Sequence, residues 1–377
     1  MNDVPGQAMA SNVPADARQW IDRLRAAAQK LGRDVAFMEV CGTHTVNAFR
    51  CGLHSLMPPN VRLLSGPGCP VCVTSQGDID QLIELAGMKN VTVCTYGDML
   101  RVTGAGGSLE QARSSGADVR VIYSALDAVQ LALELPRREI VFAAVGFETT
   151  APATAVAIRE AARLGAENFS VLASHKRILP AMFALLASGR VQVDGFLCPG
   201  HVSVIIGAAS FQRIVTRYRL PCVVVGFEDA QIARGLAELT EMTLEKRPRL
   251  RNLYPEAVTA GGNRHARNLM RSVFLPGQAI WRGLGVIPRS GWVLRSKLRQ
   301  FDARYRFDLR SLERPEPKGC RCGDVITGRC TPAECGLFAG ACTPTSPVGP
   351  CMVSSEGTCQ AWFRYGPARR NGQKTFA

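Results

Sequence analysis

The sequence predicts an α/β protein in which parallel sheets are covered by helices on both faces, followed by a loop-rich C-terminal region. Short, continuous apolar runs alternate with helical segments up to residue 245, which is typical of parallel sheets. Seven of the 14 cysteines then fall between residues 320 and 359, where glycines and prolines interrupt regular periodicity. So many thiols in one segment indicate metal or redox chemistry rather than packing.

The predicted elements begin with an amphipathic helix at 15–31, which stops before Gly32. Apolar runs predicted as strands lie at 34–40, 61–64, 91–95, 118–123, 139–145, 169–173, 194–198 and 222–226. Helical segments between them include 124–135, 150–165, 178–189 and 228–245. This number of strands fits either one large sheet or two smaller α/β domains.

A weak internal similarity favours two domains. The segments 141–153 and 223–233 both read as a buried strand, then Gly-Phe-Glu, then the start of a helix. We therefore expect a first α/β domain at 1–135 and a second at 136–245. A basic helical segment and the cysteine-rich region would then occupy 246–377.

The composition indicates an ordinary globular protein without a membrane span. Hydrophobic residues make up 46% of the chain and charged residues 20%. No apolar run reaches the roughly 20 residues needed to cross a bilayer, and the N-terminus lacks a basic stretch followed by an apolar one. We therefore expect a cytoplasmic protein, in which cysteines serve as ligands or catalytic thiols more often than as structural disulfides.

The net charge of +14 is concentrated in one segment. Residues 246–319 hold 17 Lys and Arg against 5 Asp and Glu, which gives +12 of the +14. Nucleic acid binding is one interpretation, but the segment has no recognised binding motif and no spaced set of stacking aromatics. We favour a solvated basic face or a docking surface for an acidic protein, and we expect no nucleic acid partner.

The first candidate site follows the predicted strand at 34–40, where Cys41 is followed by a glycine and then, three residues on, by His44. Loops at the carboxyl ends of parallel strands line the binding crevice of such sheets. Cys41 therefore lies where a functional thiol is expected. The alternative is a buried strand-end cysteine with His44 capping the next helix, and position alone does not separate the two.

The second candidate is the sequence GPGCPVC at 66–72. Cysteines at this spacing close a disulfide across one turn or bind a metal as a pair. The two glycines let the backbone approach another group closely. A helix starting near Ser75 would stabilise a thiolate at Cys69 or Cys72. The pattern predicts a redox or metal role for this pair.

The C-terminal cysteines do not have the spacing of the two short knuckles of a structural zinc site. They are Cys320, Cys322, Cys330, Cys335, Cys342, Cys351 and Cys359. Four cysteines suffice to hold an iron–sulfur cube. A spare pair beside the cube would convert single electrons into the two that a disulfide takes. A zinc site remains open on spacing alone.

Polar residues that follow other predicted strands fall on the same rim: Asp98, Glu148, Thr149, Thr150 and His201. Each of them either lines the cleft or caps a helix. Capping is favoured for each residue taken alone, because short polar side chains are common at helix starts.

Six motifs occur in order along nearly the whole chain: CGTHT at 41–45, GPGCPVC at 66–72, YGDML at 96–100, GFETTAP at 146–152, PGHVS at 199–203 and CMVSSEGTC at 351–359. Together they resemble the HypD family of hydrogenase maturation factors. The resemblance implies two Rossmann-like parallel-sheet domains facing a cleft, plus a loop-rich C-terminal region with a [4Fe–4S] cluster. It also implies that the chain helps to build the Fe(CN)2(CO) unit of [NiFe]-hydrogenase.

The resemblance further implies roles for individual residues. Cys41 would bind the Fe²⁺ that carries CN and CO ligands, with Thr43 and His44 as supporting groups. Cys69 and Cys72 would form a redox-active pair on the facing loop and would also be candidate ligands of that iron. The cluster ligands would be Cys320, Cys335, Cys342 and Cys359, with Cys322 and Cys351 as the spare pair. Cys330 is an additional cysteine that leaves the choice of ligands open.

The partners also follow from the resemblance. They are a small HypC-type chaperone that shares the iron through its own cysteine, a HypE-type cyanide donor with a HypF-type protein upstream, and indirectly the hydrogenase large subunit. The chain departs from the family pattern at 102–104 and at Cys198, where a proline and a glycine are expected. Neither departure affects the expected chemistry.

Two other functions stay open. A stand-alone iron–sulfur disulfide reductase of the ferredoxin:thioredoxin reductase type would turn over without a partner protein. A binding module with a structural zinc in its tail would be colourless. Whether the chain is an enzyme also stays open, because an assembly scaffold and a redox catalyst would use the same residues.

Overall fold

The computed structural model describes residues 15–310 and 314–366. Its strands are β1 Val35–Glu39, β2 Val61–Ser65, β3 Val91–Thr95, β4 Asp118–Val121, β5 Glu139–Gly146, β6 Phe169–His175, β7 Gly195–Cys198, β8 Cys222–Val224, β9 Leu250–Asn252, β10 Phe274–Trp281 and β11 Gly285–Leu294. Its α-helices are α1 Ala15–Leu31, α2 Gly42–Arg50, α3 Leu53–Leu56, α4 Pro70–Val73, α5 Gln76–Gly87, α6 Leu109–Ser114, α7 Ala125–Glu134, α8 Ala151–Leu164, α9 Ile178–Ser188, α10 Gly200–Ile206, α11 Gln212–Tyr218, α12 Asp229–Leu244, α13 Arg264–Val273, α14 Ala303–Arg306, α15 Cys322–Val325, α16 Pro350–Val353 and α17 Thr358–Tyr365. Short 3₁₀ helices occupy Gly97–Arg101, Ala208–Phe211, Ser296–Phe301 and Pro332–Glu334.

Each of the eight apolar runs predicted as strands is a strand in the structure, and they are β1 to β8. The observed bounds differ from the predicted ones by no more than two residues at either end. The five predicted helices correspond to α1, α7, α8, α9 and α12. Local signals explain these ends. Ser124 caps α7 by accepting from the N–H of Leu126, and α8 ends at Gly165, whose positive φ of 69° suits a glycine.

The first sheet is parallel and has the strand order β2-β1-β7-β8-β9. β1 lies between β2 and β7, and every one of its residues is buried. Helices α1 and α12 pack against each other and are joined by the ion pair of Arg23 with Glu241 at 2.7 Å. Since the strands are parallel, the loops that follow β1, β2, β7 and β8 meet at one edge.

The second sheet is also parallel and has the order β4-β3-β5-β6. β5 lies between β3 and β6, and its residues Ile140 and Phe142 have no exposed surface. The loops after β3, β5 and β6 begin at Tyr96, Phe147 and Lys176 and share the carboxyl edge of this sheet.

The two sheets confirm the predicted α/β class with two Rossmann-like units, but they do not follow the predicted division at residue 135. β3 and β4 fall within 1–135 yet pair in the second sheet, whereas β7 and β8 fall within 136–245 yet complete the first. The physical reason is that β1 needs a partner on its second edge, and β7 supplies it, with Phe37 opposite Gly195. An apolar run predicts a buried strand without indicating its neighbour.

The segment from 246 to 310 differs from the basic helical segment that the sequence predicts. It holds β9, α13 and an antiparallel hairpin of β10 and β11, paired from Phe274 and Leu294 to Trp281 and Gly285. One face of the hairpin is exposed, including Leu275 and Val293. Each of these strands therefore has both exposed and buried residues. Neither contains the continuous apolar run by which β1 to β8 are predicted.

The cysteine-rich region contains three short helices, α15, α16 and α17, where the sequence predicts loops alone. α17 packs on α2, with the rings of Phe49 and Trp362 5.4 Å apart, and α16 packs on α4. One apolar core includes Val93 of the second sheet, Phe196 of the first and Met352 of the C-terminal region. Within residues 15–310 and 314–366, no helix is both long and apolar enough to cross a membrane.

Candidate metal and thiol site

Cys41 is the second residue after β1, directly before α2, and is buried. Its backbone N–H donates to Glu39 Oε2 at 2.9 Å, and α2 begins at the next residue. Burial, followed by the nearby Glu356 carboxylate, raises the pKa of the Cys41 thiol to about 12, while the backbone N–H groups of His44 and Thr43 oppose the rise. Cys41 is therefore a neutral thiol at pH 7, and binding a metal there requires release of its proton.

Glu356 reaches the Cys41 loop from the C-terminal region. Thr43 Oγ1 donates to Glu356 Oε1 at 2.7 Å. Gly42 permits this approach, because a Cβ at that position would lie 2.6 Å from Glu356 Cβ. Sequence reasoning does not single out Glu356, although it lies within the motif at 351–359, because the spacing arguments concern only the cysteines of that motif.

His44 lies inside the protein, on the first turn of α2. Its Nε2 is 2.8 Å from Gly226 O, so this nitrogen donates, and the buried Nδ1 has no partner among the described residues. Burial lowers the His44 pKa to about 4, which keeps the ring neutral. Phe227 contacts it at a centroid distance of 5.1 Å and also stacks on His201 at 4.0 Å. His44 of the first candidate site and the predicted rim residue His201 thus share one aromatic neighbour.

Cys69 and Cys72 form a disulfide, with their Cα atoms 5.3 Å apart. Cys69 is the N-cap of α4, and its Sγ accepts from the N–H of Cys72 at 3.2 Å. The helix predicted near Ser75 is α5, which Ser75 caps by accepting from Asp78 N–H at 3.1 Å. While the disulfide persists, neither sulfur of this pair is available as a thiolate.

The glycines before this pair bring it against Cys41. The N–H of Gly66 donates to Glu39 O at 2.7 Å, and the N–H of Gly42 donates to Gly68 O at 3.3 Å. A side chain on Gly68 would overlap the backbone of Cys41. The close approach that the glycines permit is therefore between two segments of this chain, and it places the disulfide loop beside the first candidate thiol.

Six of the seven C-terminal cysteines line one small cavity: Cys320, Cys322, Cys335, Cys342, Cys351 and Cys359. Leu337, Phe338 and Met352 complete its wall, so the surroundings are apolar. Cys330 lies instead in a neighbouring cavity with Arg329 and Trp362. The predicted ligands and the predicted spare pair are thus brought together, and the additional cysteine is separate from them.

Cys322 and Cys351 lie side by side within this cavity. Their hydrogen-bond contact and the burial of both raise the pKa of Cys322 well above its usual value, and burial does the same for Cys351. The N–H of Cys359 donates to Cys351 Sγ at 3.1 Å. These thiols are free rather than joined in a disulfide. Two adjacent, buried thiols are the starting material for a dithiol–disulfide couple.

The donor set of this cavity suits an iron–sulfur cluster. Clusters are held by thiolates, usually four of them, in surroundings with little water, and the cavity offers more than four thiols and apolar walls. Among the described residues, no group of three or more His, Cys, Asp or Glu side chains converges on a point where a single metal ion would sit. A cube differs in this respect because it distributes its four ligands over four irons.

The turn at 354–356 lies between the edges of both sheets. Ser354 Oγ is 3.4 Å from Cys69 Sγ and 3.2 Å from Asp98 Oδ2. Asp98, which follows β3 of the second sheet, also accepts from the N–H of Ser355 at 3.0 Å. Since Glu356 is bound to Thr43, this turn contacts the disulfide, the start of α2 next to Cys41, and the segment after β3 of the second sheet.

Other predicted rim residues have structural partners. Both oxygens of Glu148 accept from the N–H of Ile178, the first residue of α9, at 3.2 and 3.3 Å. This arrangement is helix capping, as favoured for Glu148, although the helix is α9 rather than the one that follows it in sequence. Thr150 is the N-cap residue of α8 without a side-chain cap, and Thr149 precedes it.

Comparisons with known proteins identify the family of this chain. The family model described as "HypD: Hydrogenase formation hypA family" matches residues 15–366. The hydrogenase maturation factor HypD of Azotobacter vinelandii is 44% identical over 363 residues, which cover 94% of this chain and 96% of the relative. That of Escherichia coli K12 is 41% identical over 357 residues, covering 93% and 96%. HypD2 of Bradyrhizobium diazoefficiens is 43% identical over 346 residues, covering 90% and 91%. Since nearly the whole chain is matched, this protein belongs to the HypD family.

Proposed function

We propose that this chain is a hydrogenase maturation factor on which the Fe(CN)2(CO) unit of [NiFe]-hydrogenase is assembled. The observation that carries the proposal is the convergence of Cys41, the Cys69–Cys72 disulfide and the cysteine-lined cavity around the turn at 354–356. The family membership and the hydrogenase maturation factors named above support it.

In this proposal the iron is the substrate, and Cys41 is its ligand on this chain. Soft thiolates suit ferrous iron that carries cyanide and carbon monoxide. Because the thiol pKa is about 12, iron binding releases the Cys41 proton. Glu39 accepts from the backbone N–H of Cys41 and Glu356 from the hydroxyl of Thr43, and we assign these carboxylates as acceptors of the proton. His44 Nδ1 is a further buried acceptor, held in place by the bond to Gly226.

The disulfide supplies the redox step. Its reduction breaks one S–S bond, takes up two electrons and two protons and yields the Cys69 and Cys72 thiols, which then become candidate ligands of the same iron. Cys322 and Cys351 would supply both electrons and both protons as they form a disulfide with each other. The packing of α16 on α4 supports this route, since Cys351 lies on α16 and Cys72 on α4.

We assign Cys320, Cys335, Cys342 and Cys359 as the ligands of a [4Fe–4S] cluster. When bound, the cluster would deliver single electrons from a one-electron donor protein. The residues of this chain exclude water from the cavity through Leu337, Phe338 and Met352. They also hold Cys322 and Cys351 beside the assigned ligands.

The proposal includes specific partners. A HypC-type chaperone would share the iron with Cys41 through its own cysteine, a HypE-type protein supplied by a HypF-type protein would donate cyanide, and the hydrogenase large subunit would receive the unit indirectly. The basic segment at 246–319 is available as a docking face, with exposed Arg264, Arg271, Lys297 and Arg299. We place these encounters in the cytoplasm.

Anaerobic purification, with the absorption spectrum and the iron and sulfide content, tests the cluster first. About four irons and four sulfides per chain with thiolate-to-iron absorption would support it, and a colourless protein containing one zinc would overturn it in favour of the zinc-tail alternative. Infrared bands of bound cyanide and carbon monoxide in the same sample would support the scaffold role.

A matched pair of variants tests the iron ligand. Cys41→Ser should lose the infrared bands while keeping the fold, because the alcohol is a poor ligand for soft ferrous iron. Cys51→Ser is the control, since Cys51 ends the same helix that Cys41 begins and is half-buried. Equal loss of the bands in both variants, or no loss in Cys41→Ser, would remove Cys41 from the proposal.

The second candidate function is a stand-alone iron–sulfur disulfide reductase. The juxtaposition of a disulfide helix with a cysteine-lined cavity is the observation that favours it. Such an enzyme would reduce a small disulfide or a thioredoxin-like protein with repeated turnover and without a partner chain. Steady-state reduction of a disulfide substrate by the purified chain, lost in Cys322→Ser, would support this function over the scaffold.

A further inference from the structure

Arg282 lies between the two cysteine pairs. It follows β10 in the hairpin turn, and its side chain has no exposed surface. Its backbone N–H donates to Val73 O at 3.0 Å, at the end of the helix that carries Cys72. Its Nη2 donates to Gln76 Oε1 at 3.2 Å, at the start of α5. The guanidinium is therefore fixed against the helices that follow the disulfide.

The neighbouring residue, Gly283, contacts the C-terminal region. A Cβ on Gly283 would lie 2.7 Å from Gly323 Cα, one residue beyond Cys322. Glu316 joins both segments, because its Oε1 accepts from the N–H of Gly283 at 3.2 Å and its Oε2 accepts from the N–H of Gly323 at 3.3 Å. The hairpin turn thus separates the Cys69–Cys72 helix from the start of α15.

The charge of Arg282 is only partly compensated. Its closest carboxylate oxygen, Glu316 Oε2, is 3.8 Å from Nη1, which is beyond hydrogen-bond distance, and Glu316 already serves two backbone N–H groups. The buried Nε and Nη1 have no hydrogen-bond partner among the described residues. Burying an incompletely paired cation is costly, so a further negative group close by would offset that cost.

The adjacent cysteine cavity would provide such a group. Thiolates that hold an iron–sulfur cluster are anionic, and Cys320 and Cys322 line the cavity next to Gly323. Gly283, the residue after Arg282, lies against Gly323, so the segment that carries the guanidinium borders this wall of the cavity.

We infer that the buried positive charge of Arg282 raises the reduction potential of the cluster held by the C-terminal cysteines. The inference rests on the proposed function, because it needs a cluster in that cavity. Reduction adds one negative charge to the cluster, and a fixed buried cation stabilises that charge, so it favours the reduced state. Its attraction is strong in an apolar interior and weakly screened by salt.

The test is the midpoint potential of the anaerobically reconstituted full chain, followed by mediated titration with electron paramagnetic resonance. Arg282→Gln should lower the potential by at least 59 mV, the equivalent of a tenfold change in a one-electron equilibrium constant. Arg282→Lys, which keeps the charge, should stay close to wild type. Arg163→Gln is the surface control, because Arg163 is 66% exposed, lies on α8 and is paired with Glu160 at 2.6 Å.

Glu316→Gln gives an independent result of opposite sign. It removes the carboxylate nearest to Arg282 without touching the guanidinium, so the potential should rise. Damage to the fold would not move the two variants in opposite directions. The difference between Arg282→Gln and wild type should also persist at 1 M salt, where the Debye length is about 3 Å.

The outcomes separate the two levels of the proposal. If wild type binds no cluster under reconstitution, the proposed function fails and the role of Arg282 fails with it. If the cluster forms but Arg282→Gln shifts its potential no more than Arg163→Gln, only the inference on Arg282 is overturned. Equal shifts in Arg282→Gln and Arg282→Lys overturn it as well, because the side-chain charge would then not be the cause.

Discussion

At the scale of single residues, burial controls which side chains at the sheet edges carry charge. Burial raises the pKa of Cys41 to about 12 and lowers that of His44 to about 4, so both are neutral at pH 7. Burial also raises the pKa values of Glu39 and Glu148 to about 7. Glu39 and Glu148 therefore keep part of their protons at pH 7, where exposed carboxyl groups are ionised. A metal ion that binds Cys41 displaces the thiol proton.

Wild type should lose stability as the pH rises, because Glu148 ionises, and Glu148→Gln should not show this loss. Burial raises the Glu148 pKa from 4.5 to about 7 in the folded protein, so the folded state binds this proton more tightly than the unfolded chain. Between pH 4.5 and pH 7 the free energy of unfolding of wild type should fall relative to the variant, by about 3 kcal/mol in total. Urea unfolding from pH 4.5 to pH 8.5 measures the difference.

Other groups that titrate in this window, including Glu39, are present in both proteins and cancel in the difference. Glu160→Gln is the control, because Glu160 is paired at the surface with Arg163 and its removal should leave the pH profile unchanged. A difference between wild type and Glu148→Gln that stays constant across the pH range would contradict a protonated, buried Glu148.

At the scale of elements, a buried charge network fixes α5 to the second sheet. Asp78 of α5 pairs with Lys176, directly after β6, at 3.2 Å and with Arg304 of α14 at 2.8 Å. Arg304 Nη1 also donates to Ala173 O of β6 at 2.7 Å. Because α5 begins directly after the disulfide helix, this network determines where the disulfide lies relative to the second sheet.

Asp78→Asn should destabilise the protein by about 3–5 kcal/mol, because it leaves the buried Lys176 without its carboxylate. Chemical denaturation measures the loss. Glu245→Gln is the matched control, since Glu245 and its partner Arg249 are about half exposed, and its effect should stay within about 0.5 kcal/mol. Similar effects of the two substitutions would mean that the buried network does not hold α5 in place.

At the scale of the whole molecule, the two sheets are interleaved along the chain. β1 and β2 come first, the whole second sheet follows, and β7, β8 and β9 then return to the first sheet. The C-terminal region closes over the edges of both, through Ser354 on Asp98 and Glu356 on Thr43. The candidate site therefore exists only when distant parts of the chain have come together.

A fragment of residues 15–135 should show no cooperative unfolding transition by circular dichroism. It contains β1 to β4 but lacks β7, which pairs with β1, and β5, which pairs with β3. One edge of β1 and one edge of β3 would therefore be left without a partner strand. The fragment 89–189 is the comparison, because it contains every strand of the second sheet and should retain more strand signal. A cooperative transition in 15–135 would show that the predicted first domain folds alone after all.

The sequence by itself determined the α/β class, the strands β1 to β8 and the family, because burial periodicity and short motifs are local properties of the chain. Only the tertiary structure decided which sheet each strand joins and how six of the C-terminal cysteines share one cavity. It also decided that Glu356 reaches Thr43 across 313 residues of sequence and that Arg282 lies buried beside Gly323. The physical reason is that an apolar run records that a segment is buried but not what it is buried against, and that an isolated Glu or Arg has no local pattern announcing its partner.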